Sequence, residues 1–171
     1  MQEKYIKLYK KLYDLKPNYG RTSILLYDKI KPILKELNVK SVLDYGCGKS
    51  QLFLEIERDL NIKVHRYDPA IKGLETLPDY NIDFVVCTDV LQHIPHYEIN
   101  DVLEEIKSFS ENCFFYINCT EHKTLLPNGE KANCTVLSKE EWLKILKFYF
   151  EKIKLISEEK NKVIFLTKKI K

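Results

Sequence analysis

The chain has 171 residues, of which 44% are hydrophobic and 31% charged, and its formal net charge is +3. These values are ordinary for a soluble globular protein with one domain and a substantial core, and the mild positive charge is not by itself the signature of a nucleic-acid-binding protein. No apolar run is long enough to span a bilayer, and the amphipathic start lacks the continuous apolar core of a secretory signal. None of the five cysteines forms a C-x-x-C pair. We therefore expect reduced thiols and a cytoplasmic location.

Two amphipathic helices are predicted before the first strand. Apolar residues and tyrosines recur at helical spacing in residues 1–14, and a second helix is expected over residues 22–37. Pro32 lies inside this second helix and should kink or split it. The turn between the helices contains Tyr19 and Gly20, and its composition fits either a plain connection or a contact with a ligand.

The stretch Ser41–Ser50, with the sequence SVLDYGCGKS, is the first that points to a function. A short apolar strand ends at Asp44, and Gly46 and Gly48 precede a helix that should start near residue 51, with Ser50 as its N-cap. Glycines in such a turn let a ligand lie against bare backbone at a helix N-terminus. The alternative is a glycine turn that only connects a strand to a helix.

Three kinds of ligand loop are compatible with two glycines at this position. A phosphate-binding loop needs a further glycine where this chain has Leu43, so we set that interpretation aside. A dinucleotide-binding turn has a third glycine where Gln51 lies, which weakens a pyrophosphate site. The nucleoside-binding variant of the same fold remains.

Acidic residues also follow the next two predicted strands. The strand Lys63–Asp68 ends in Asp68, 24 positions after Asp44 (68 − 44), and a carboxylate at that point can accept hydrogen bonds from both ribose hydroxyls. Taken alone, Asp68 is equally a turn residue before Pro69. The buried strand that ends at Cys87 is followed by Thr88 and Asp89. Because ligands bind outside the carboxyl ends of parallel strands, these residues should converge on one crevice.

The interval between these two strands is short. Residues 69–82 leave little room for both a helix and a further strand, so we expect both to be reduced or missing. His93 lies shortly after the crevice-forming loop and can serve as a general base or simply support the loop. A metal site with His96 lacks the carboxylates or cysteines that would complete it, so no metal is expected.

The C-terminal half is predicted to contain a helix near residues 99–109, a buried strand over 113–118 and a closing antiparallel hairpin over 152–167, with its turn at 158–161. The long polar loop 119–137 fits an acceptor-binding loop or a plain surface loop. Ser138 and Glu141 form a capping box for one more helix.

The segment LDYGCG, residues 43–48, resembles the first motif of class I S-adenosylmethionine (SAM)-dependent methyltransferases. DVLQHI, residues 89–94, resembles a second segment of that family, in which glutamate is usual where this chain has Gln92. Ser50 replaces the usual third glycine. The spacing is similar to that of small bacterial and phage members. The resemblance implies an α/β, Rossmann-like fold with a mostly parallel sheet, an antiparallel C-terminal strand and N-terminal helices as a lid. The third-strand region, which the short interval predicts to be abbreviated, departs from the usual family pattern. It implies one domain over 1–171, with a helical cap over 1–38 and the core over 39–171.

The resemblance also implies the site. SAM would be the cofactor and S-adenosylhomocysteine (SAH) the product. Asp44 and the glycine backbone would hold the methionine portion, Asp68 the ribose, and Thr88 and Asp89 would border the methyl group. His93, or less favourably His122, would take a proton from a hydroxyl acceptor. The full set of expected cofactor contacts is Tyr19, Asp44, Gly46, Cys47, Gly48, Asp68, Pro69, Thr88 and Asp89.

The expected reaction is O-methylation of a small molecule, a sugar or a glycan precursor. The Asn/Asp-Pro-Pro-Tyr/Phe motif of amino-methylating nucleic-acid enzymes is missing after the strand that ends at Cys87, and Thr88-Asp89 is there instead. A nucleic acid is therefore not the favoured partner. No membrane partner is expected either, because the chain lacks a long apolar run. Two alternatives remain open: a non-catalytic SAM- or nucleoside-binding partner subunit, and an RNA-modifying methyltransferase, which the lysine excess would suit.

Overall fold

The computed structural model describes residues 2–121 and 123–168. His122, the second candidate base, lies outside the described residues. The helices are α1 Glu3–Leu15, α2 Tyr27–Glu36, α3 Leu52–Leu60, α4 Ile99–Phe109 and α5 Lys139–Tyr149, with 3-10 turns at Thr22–Leu26, Leu91–His93 and His96–Glu98. The strands are β1 Ser41–Tyr45, β2 Lys63–Tyr67, β3 Phe84–Thr88, β4 Cys113–Asn118, β5 Ile153–Glu159 and β6 Lys162–Thr167.

The strands form one six-stranded sheet in the order β2-β1-β3-β4-β6-β5. The first four strands of this order are parallel, whereas β6 is antiparallel to β4 and forms a hairpin with β5. The predicted fold class is thereby confirmed. Because β1 has β2 on one side and β3 on the other, the strand order reverses there, and in open parallel sheets ligands bind beside such a reversal.

Both faces of the sheet are covered, so its central strands are apolar on both sides. All five residues of β3 are buried. Its residues Val85 and Cys87 pack with α4 and α5, whereas Phe84 and Val86 pack with α2 and α3 on the opposite face. This near-continuous apolar strand is typical of parallel sheets. None of the helices in the described ranges is long and apolar enough to cross a membrane.

The expected loss of the region between β2 and β3 is confirmed, since residues 68–83 contain neither helix nor strand. The chain turns tightly after β2 instead, with the Ile71 amide donating to the Asp68 carbonyl and the Asp68 amide to the Leu74 carbonyl, at 3.1 and 2.9 Å. As a result, β2 is an edge strand and the segment after it is free to contact α1.

The two N-terminal helices differ in role. Residues Ile30 and Leu34 of α2 are fully buried in the core beside β1, whereas α1 packs on the segment after β2 and on the loop after β4. Thus α1 is the part of the predicted cap that covers the carboxyl ends of the parallel strands. We call α1 the cap helix. The proposed domain boundaries remain a prediction.

Three local expectations need correction. The second helix is not split at Pro32: α2 runs through it, and the change from 3-10 to α-helix comes earlier, at Leu26. The N-cap of α3 is Gln51, although the Oγ of Ser50 does accept from the Leu52 amide at 3.2 Å. Strand β5 continues through residues expected in the hairpin turn and ends at Glu159. The capping box of α5 is confirmed, with both of its hydrogen bonds present.

Candidate active site

A cavity of about 360 Å³ lies at the carboxyl ends of the parallel strands, a size typical of small-molecule sites. Every expected cofactor contact except Asp44 lines it, and so does His93: the lining includes Tyr19, Gly46, Cys47, Gly48, Asp68, Pro69, Thr88, Asp89 and His93. Further lining residues come from the cap helix, from the loop after β4 and from the start of β6. The convergence expected at the strand ends is therefore present in the structure.

The glycine loop needs its glycines for contacts within the protein. Gly46 and Gly48 have φ angles of +74° and +53°, which side-chain-bearing residues rarely adopt. A Cβ on Gly46 would lie 2.4 Å from Cγ2 of Val90, and one on Gly48 would lie 2.6 Å from the carbonyl oxygen of Gly20. The sequence suggested that these glycines admit a ligand. The structure shows that they also admit the loop after β3 and the turn after the cap helix.

Asp68 is the most highly connected side chain of the cavity. Its Oδ1 accepts from the Ala70 amide at 2.9 Å, and its Oδ2 accepts from the Gly48 amide at 3.1 Å and from the Tyr13 hydroxyl at 2.9 Å. Burial raises the pKa of Asp68, and these three donors oppose that effect. Sequence reasoning missed Tyr13, because nothing in the helical spacing of the tyrosines indicates which one reaches a residue 55 positions away.

Asp44 lies beside the cavity wall. It is 1% exposed, and neither carboxylate oxygen has a hydrogen-bond donor in the described part of the chain. Burial raises the pKa of Asp44 to about 7, while the nearby Arg66 guanidinium lowers it and Asp68 raises it further. A buried carboxylate without donors is costly unless a positive charge compensates it, and such groups cluster at functional sites.

Arg66 is a second residue that the sequence did not single out. It lies opposite Asp44 in the parallel register of β1 and β2. Its Nη2 donates to the carbonyl oxygen of Ser50 at 3.0 Å and, more weakly, to that of Gly48 at 3.4 Å. Arg66 therefore fixes the glycine loop and is also the counter-charge nearest to the two buried acids.

The imidazole of His93 is held in one orientation. Its Nδ1 lies 2.9 Å from the carbonyl oxygen of Ala132, which can only accept, so Nδ1 carries the proton in the neutral ring. Nε2 is then the basic nitrogen, and it lies 3.5 Å from the Tyr19 hydroxyl. The same Ala132 oxygen accepts from the Tyr9 hydroxyl at 2.8 Å. The cap helix and the loop after β4 thus position the candidate base together.

Asp89 adopts a left-handed conformation, with φ at +61°. Non-glycine residues rarely take this conformation, and they often do so at functional sites. Its Oδ1 accepts from Nε2 of Gln92 at 2.5 Å, and its Oδ2 lies 3.4 Å from the Thr22 hydroxyl. The glutamine that departs from the family pattern therefore has a physical role here, because an ionised glutamate could not donate to Asp89.

The other end of the cavity is lined by polar side chains that were not named individually from the sequence. Thr124 and Asn133 come from the loop expected to bind the acceptor, Asn118 ends β4 and Lys162 begins β6. No cluster of His, Cys, Asp and Glu that could hold a metal is found among the residues that the structure describes.

The family model described as "Methyltransferase domain" matches residues 17–128, more than half of the 171 residues. The chain therefore belongs to this family. A search of curated protein sequences finds no match. The predicted membership of the class I SAM-dependent methyltransferases is confirmed, and with it the methyltransferase activity and SAM as the cofactor.

Solved structures with the same fold include several methyltransferases. The DhpI–SAH complex has a TM-score of 0.62 at 14% identity, with 98% of each chain covered. The 1,6-didemethyltoxoflavin-N1-methyltransferase of Burkholderia thailandensis has a TM-score of 0.66 at 12% identity, over 98% of this chain and 90% of that one. Mitomycin 7-O-methyltransferase MmcR has a TM-score of 0.59 at 12% identity, over 86% of this chain and 54% of that one. At these identities the likeness shows the fold alone.

Replacing Asp44 with asparagine should stabilise the cofactor-free protein at high pH. The unfolded chain loses this proton near pH 4 and the folded chain near pH 7, so the wild type loses stability as the pH rises between these values. The asparagine amide does not titrate. Urea unfolding should show that Asp44→Asn gains at least about 1 kcal/mol over the wild type at pH 8 and less at pH 5. Asp79→Asn, at an exposed position outside the cavity, should show no such trend; a pH-independent difference for Asp44→Asn would contradict the prediction.

The neutral ring of His93 should carry its proton on Nδ1, because that nitrogen faces a carbonyl oxygen. Long-range proton–nitrogen spectra of histidine-labelled protein at pH 8 distinguish the two tautomers. The His93 signals are assigned by their loss in His93→Gln. Observation of the Nε2-protonated form would mean that the basic nitrogen faces Ala132 and not the cavity.

Proposed function

We propose that the chain transfers a methyl group from SAM to a hydroxyl group of a small molecule, a sugar or a glycan precursor. The observation that carries the choice of a hydroxyl is the orientation of His93, which is a cavity-lining residue and whose Nε2 is the basic nitrogen of the neutral ring. When bound, SAM supplies an activated methyl group on its sulfonium sulfur. The protein must hold the acceptor in line with that group, take its proton and exclude water.

The cofactor half of the cavity lies over the ends of β1 and β2. The backbone of the glycine loop and the Asp68 carboxylate suit the polar parts of an adenosyl amino acid, with Asp68 accepting from ribose hydroxyls. Asp44 does not reach the cavity, so its contribution would be electrostatic. Its carboxylate has no hydrogen-bond donor in the described part of the chain, and the neighbouring Asp68 opposes the effect of Arg66, so its charge favours a positively charged molecule in the neighbouring space. This buried, donor-free carboxylate is the feature of the site that best fits a sulfonium cofactor.

The reacting centre would lie over β3, the strand between the two halves of the sheet. Thr88 and Asp89 end this strand, and His93 follows in the next turn. Thr88 and Asp89 would border the methyl group that bound SAM supplies, and Nε2 of His93 would take the proton of the acceptor hydroxyl. Tyr9 and Tyr19, whose rings lie 5.7 and 6.4 Å from that of His93, would shield this space from water.

Size and enclosure favour a small acceptor over RNA. The cavity is roofed by the cap helix, and α1 contacts both the segment after β2 and the loop after β4 through Tyr9, Ala70 and Leu126. The similar solved structures include an N1-methyltransferase and a 7-O-methyltransferase, so the fold leaves the acceptor atom open and the choice of oxygen rests on His93.

Two variants should separate cofactor binding from catalysis. Asp68→Asn should weaken SAM binding at least about tenfold in calorimetric titration, because a charge-assisted hydrogen bond is lost. His93→Gln should bind SAM like the wild type, yet lose about 100-fold or more in methylation of a hydroxyl acceptor found by screening with labelled SAM. Asp79→Asn is the control for charge.

If the wild type binds SAM and His93→Gln retains full turnover, the base is another group. If purified wild type binds SAM and transfers methyl to no hydroxyl, amine or RNA acceptor, the chain is a binding partner.

Tyr13→Phe should tighten SAM binding by about three- to tenfold, because the Tyr13 hydroxyl occupies a carboxylate position that a ribose hydroxyl needs. Tyr9→Phe is the matched comparison, since Tyr9 lies one turn earlier on the same helix and its hydroxyl bonds Ala132. Equal tightening in both variants would show that a looser cap helix, and not competition for Asp68, is the cause. Weaker binding in Tyr13→Phe would show that Tyr13 supports the bound cofactor.

A further inference from the structure

The acceptor half of the cavity contains a positive charge. Lys162 is the one lysine or arginine among the cavity-lining residues of the described chain. The acidic lining residues, Asp68 and Asp89, directly follow β2 and β3, whereas Lys162 begins β6 on the other side of β4. The cavity is therefore acidic on the side proposed for the cofactor and basic on the side left for the acceptor.

The fold fixes the place of this lysine. Lys162 is opposite Asn118 in the antiparallel register of β4 and β6, and Asn118 is the last residue of β4. Both therefore lie at the sheet edge where the parallel strands end. Neighbouring strands are about 4.8 Å apart, so the start of β6 lies roughly 10 Å across the sheet from the end of β3. That is the span of a small molecule.

Lys162 is available for an ionic contact. Its ammonium lies 5.3 Å from the centroid of the Tyr116 ring, and a hydrogen bond with the Tyr116 side chain is the main reason why the pKa of Lys162 is raised. Lys139, which also contacts this hairpin, is paired with Glu158 at 2.7 Å. In contrast, no ion pair within the described ranges includes Lys162.

Its neighbour in the sheet adds a second donor. The side-chain oxygen of Asn118 accepts from both the amide and the hydroxyl of Thr120, at 3.1 and 2.9 Å. Asn118 is 9% exposed, and its side chain lines the cavity. With the oxygen occupied, the NH₂ group is the one left to meet a ligand. An ammonium and an amide NH₂ side by side form a donor-only pair, which suits an anion.

Two acids, Asp89 and Glu159, contribute to the raised pKa of Lys162, but each has other partners. The Oδ1 of Asp89 is held by Gln92 at 2.5 Å, and its Oδ2 is turned towards Thr22, 3.4 Å away. Glu159, which lies opposite Lys162 in the register of β5 and β6, is paired with Lys29. Both acids therefore have hydrogen-bond donors other than Lys162.

We propose that the methyl acceptor carries an anionic group, a carboxylate or a phosphate-type oxyanion, that binds the Lys162 ammonium and the Asn118 amide. This inference rests on the proposed methyl transfer and deepens it. With the anionic group over β4 and β6 and the reacting hydroxyl over β3, the two groups of the acceptor would be roughly 5–10 Å apart. The acceptor class is then a small hydroxy acid or a phosphorylated alcohol, and Lys162 is a residue that determines its selection.

The test uses three probes that share a phenyl ring and differ in the charge of the attached group. The wild type is saturated with SAH and titrated by calorimetry with benzoate, phenylphosphonate and the neutral benzamide, at constant ionic strength. At least one anion should bind at least about tenfold more tightly than benzamide. The better of the two anions identifies the carboxylate or the phosphate-type source. If neither anion binds more tightly than benzamide, the proposal is overturned.

Variants then assign the binding to the lysine. Lys162→Met should lose the preference for the anion, and Lys162→Arg should keep it. Lys154→Met, at an exposed position of the same hairpin outside the cavity, should bind like the wild type. Equal anion binding by Lys162→Met and the wild type would also overturn the proposal. SAH binding is measured first, so a protein that does not bind SAH is recognised before any anion is added. In that case the anion titration is repeated on the cofactor-free protein, which tests the anion site independently of the proposed methyl transfer.

Discussion

The carboxylate of Asp68 connects the parts of the molecule that make the site. Hydrogen-bond donors that replace water favour the charged form of a buried carboxylate, and Asp68 receives such donors from three segments. The Gly48 amide comes from the glycine loop, the Ala70 amide from the turn after β2 and the Tyr13 hydroxyl from the cap helix. The same carboxylate therefore sets the shape of the cofactor half and fixes the position of the helix that roofs it.

The charge balance around this carboxylate is incomplete without a ligand. The charge of Asp68 raises the pKa of Asp44, and Arg66 is the counter-charge that both acids share. Arg66 also donates its hydrogen bonds to the carbonyls of Gly48 and Ser50. In the proposed function a positively charged cofactor would add to this counter-charge, which would offset the cost of burying Asp44 where a neutral side chain would be more stable.

The sequence predicted what depends on strand order and local pattern. Asp68, Asp89 and the glycines follow consecutive parallel strands, so their convergence comes from one general property of such sheets. The contacts that complete the site could not be predicted, because they join residues that are remote in sequence. Tyr13 reaches Asp68 across 55 residues, and His93 reaches Ala132 across 39. Which face of α1 meets the cavity depends on tertiary packing, and its several tyrosines are equivalent in helical spacing.

The shortened segment after β2 links the two halves of the cavity. Without a further strand and helix, Ala70 is free to pack against the cap helix, and the same apolar cluster includes Leu126 and Ala132 of the loop after β4. Tyr13 and Tyr9 are neighbours on this helix, and their hydroxyls donate to the Asp68 carboxylate and to the Ala132 carbonyl that orients His93. A ligand that displaces Tyr13 from Asp68 must therefore also act on the helix that helps to position the base. In the proposed mechanism, the cap helix would therefore connect the cofactor half of the cavity to the residues that orient His93.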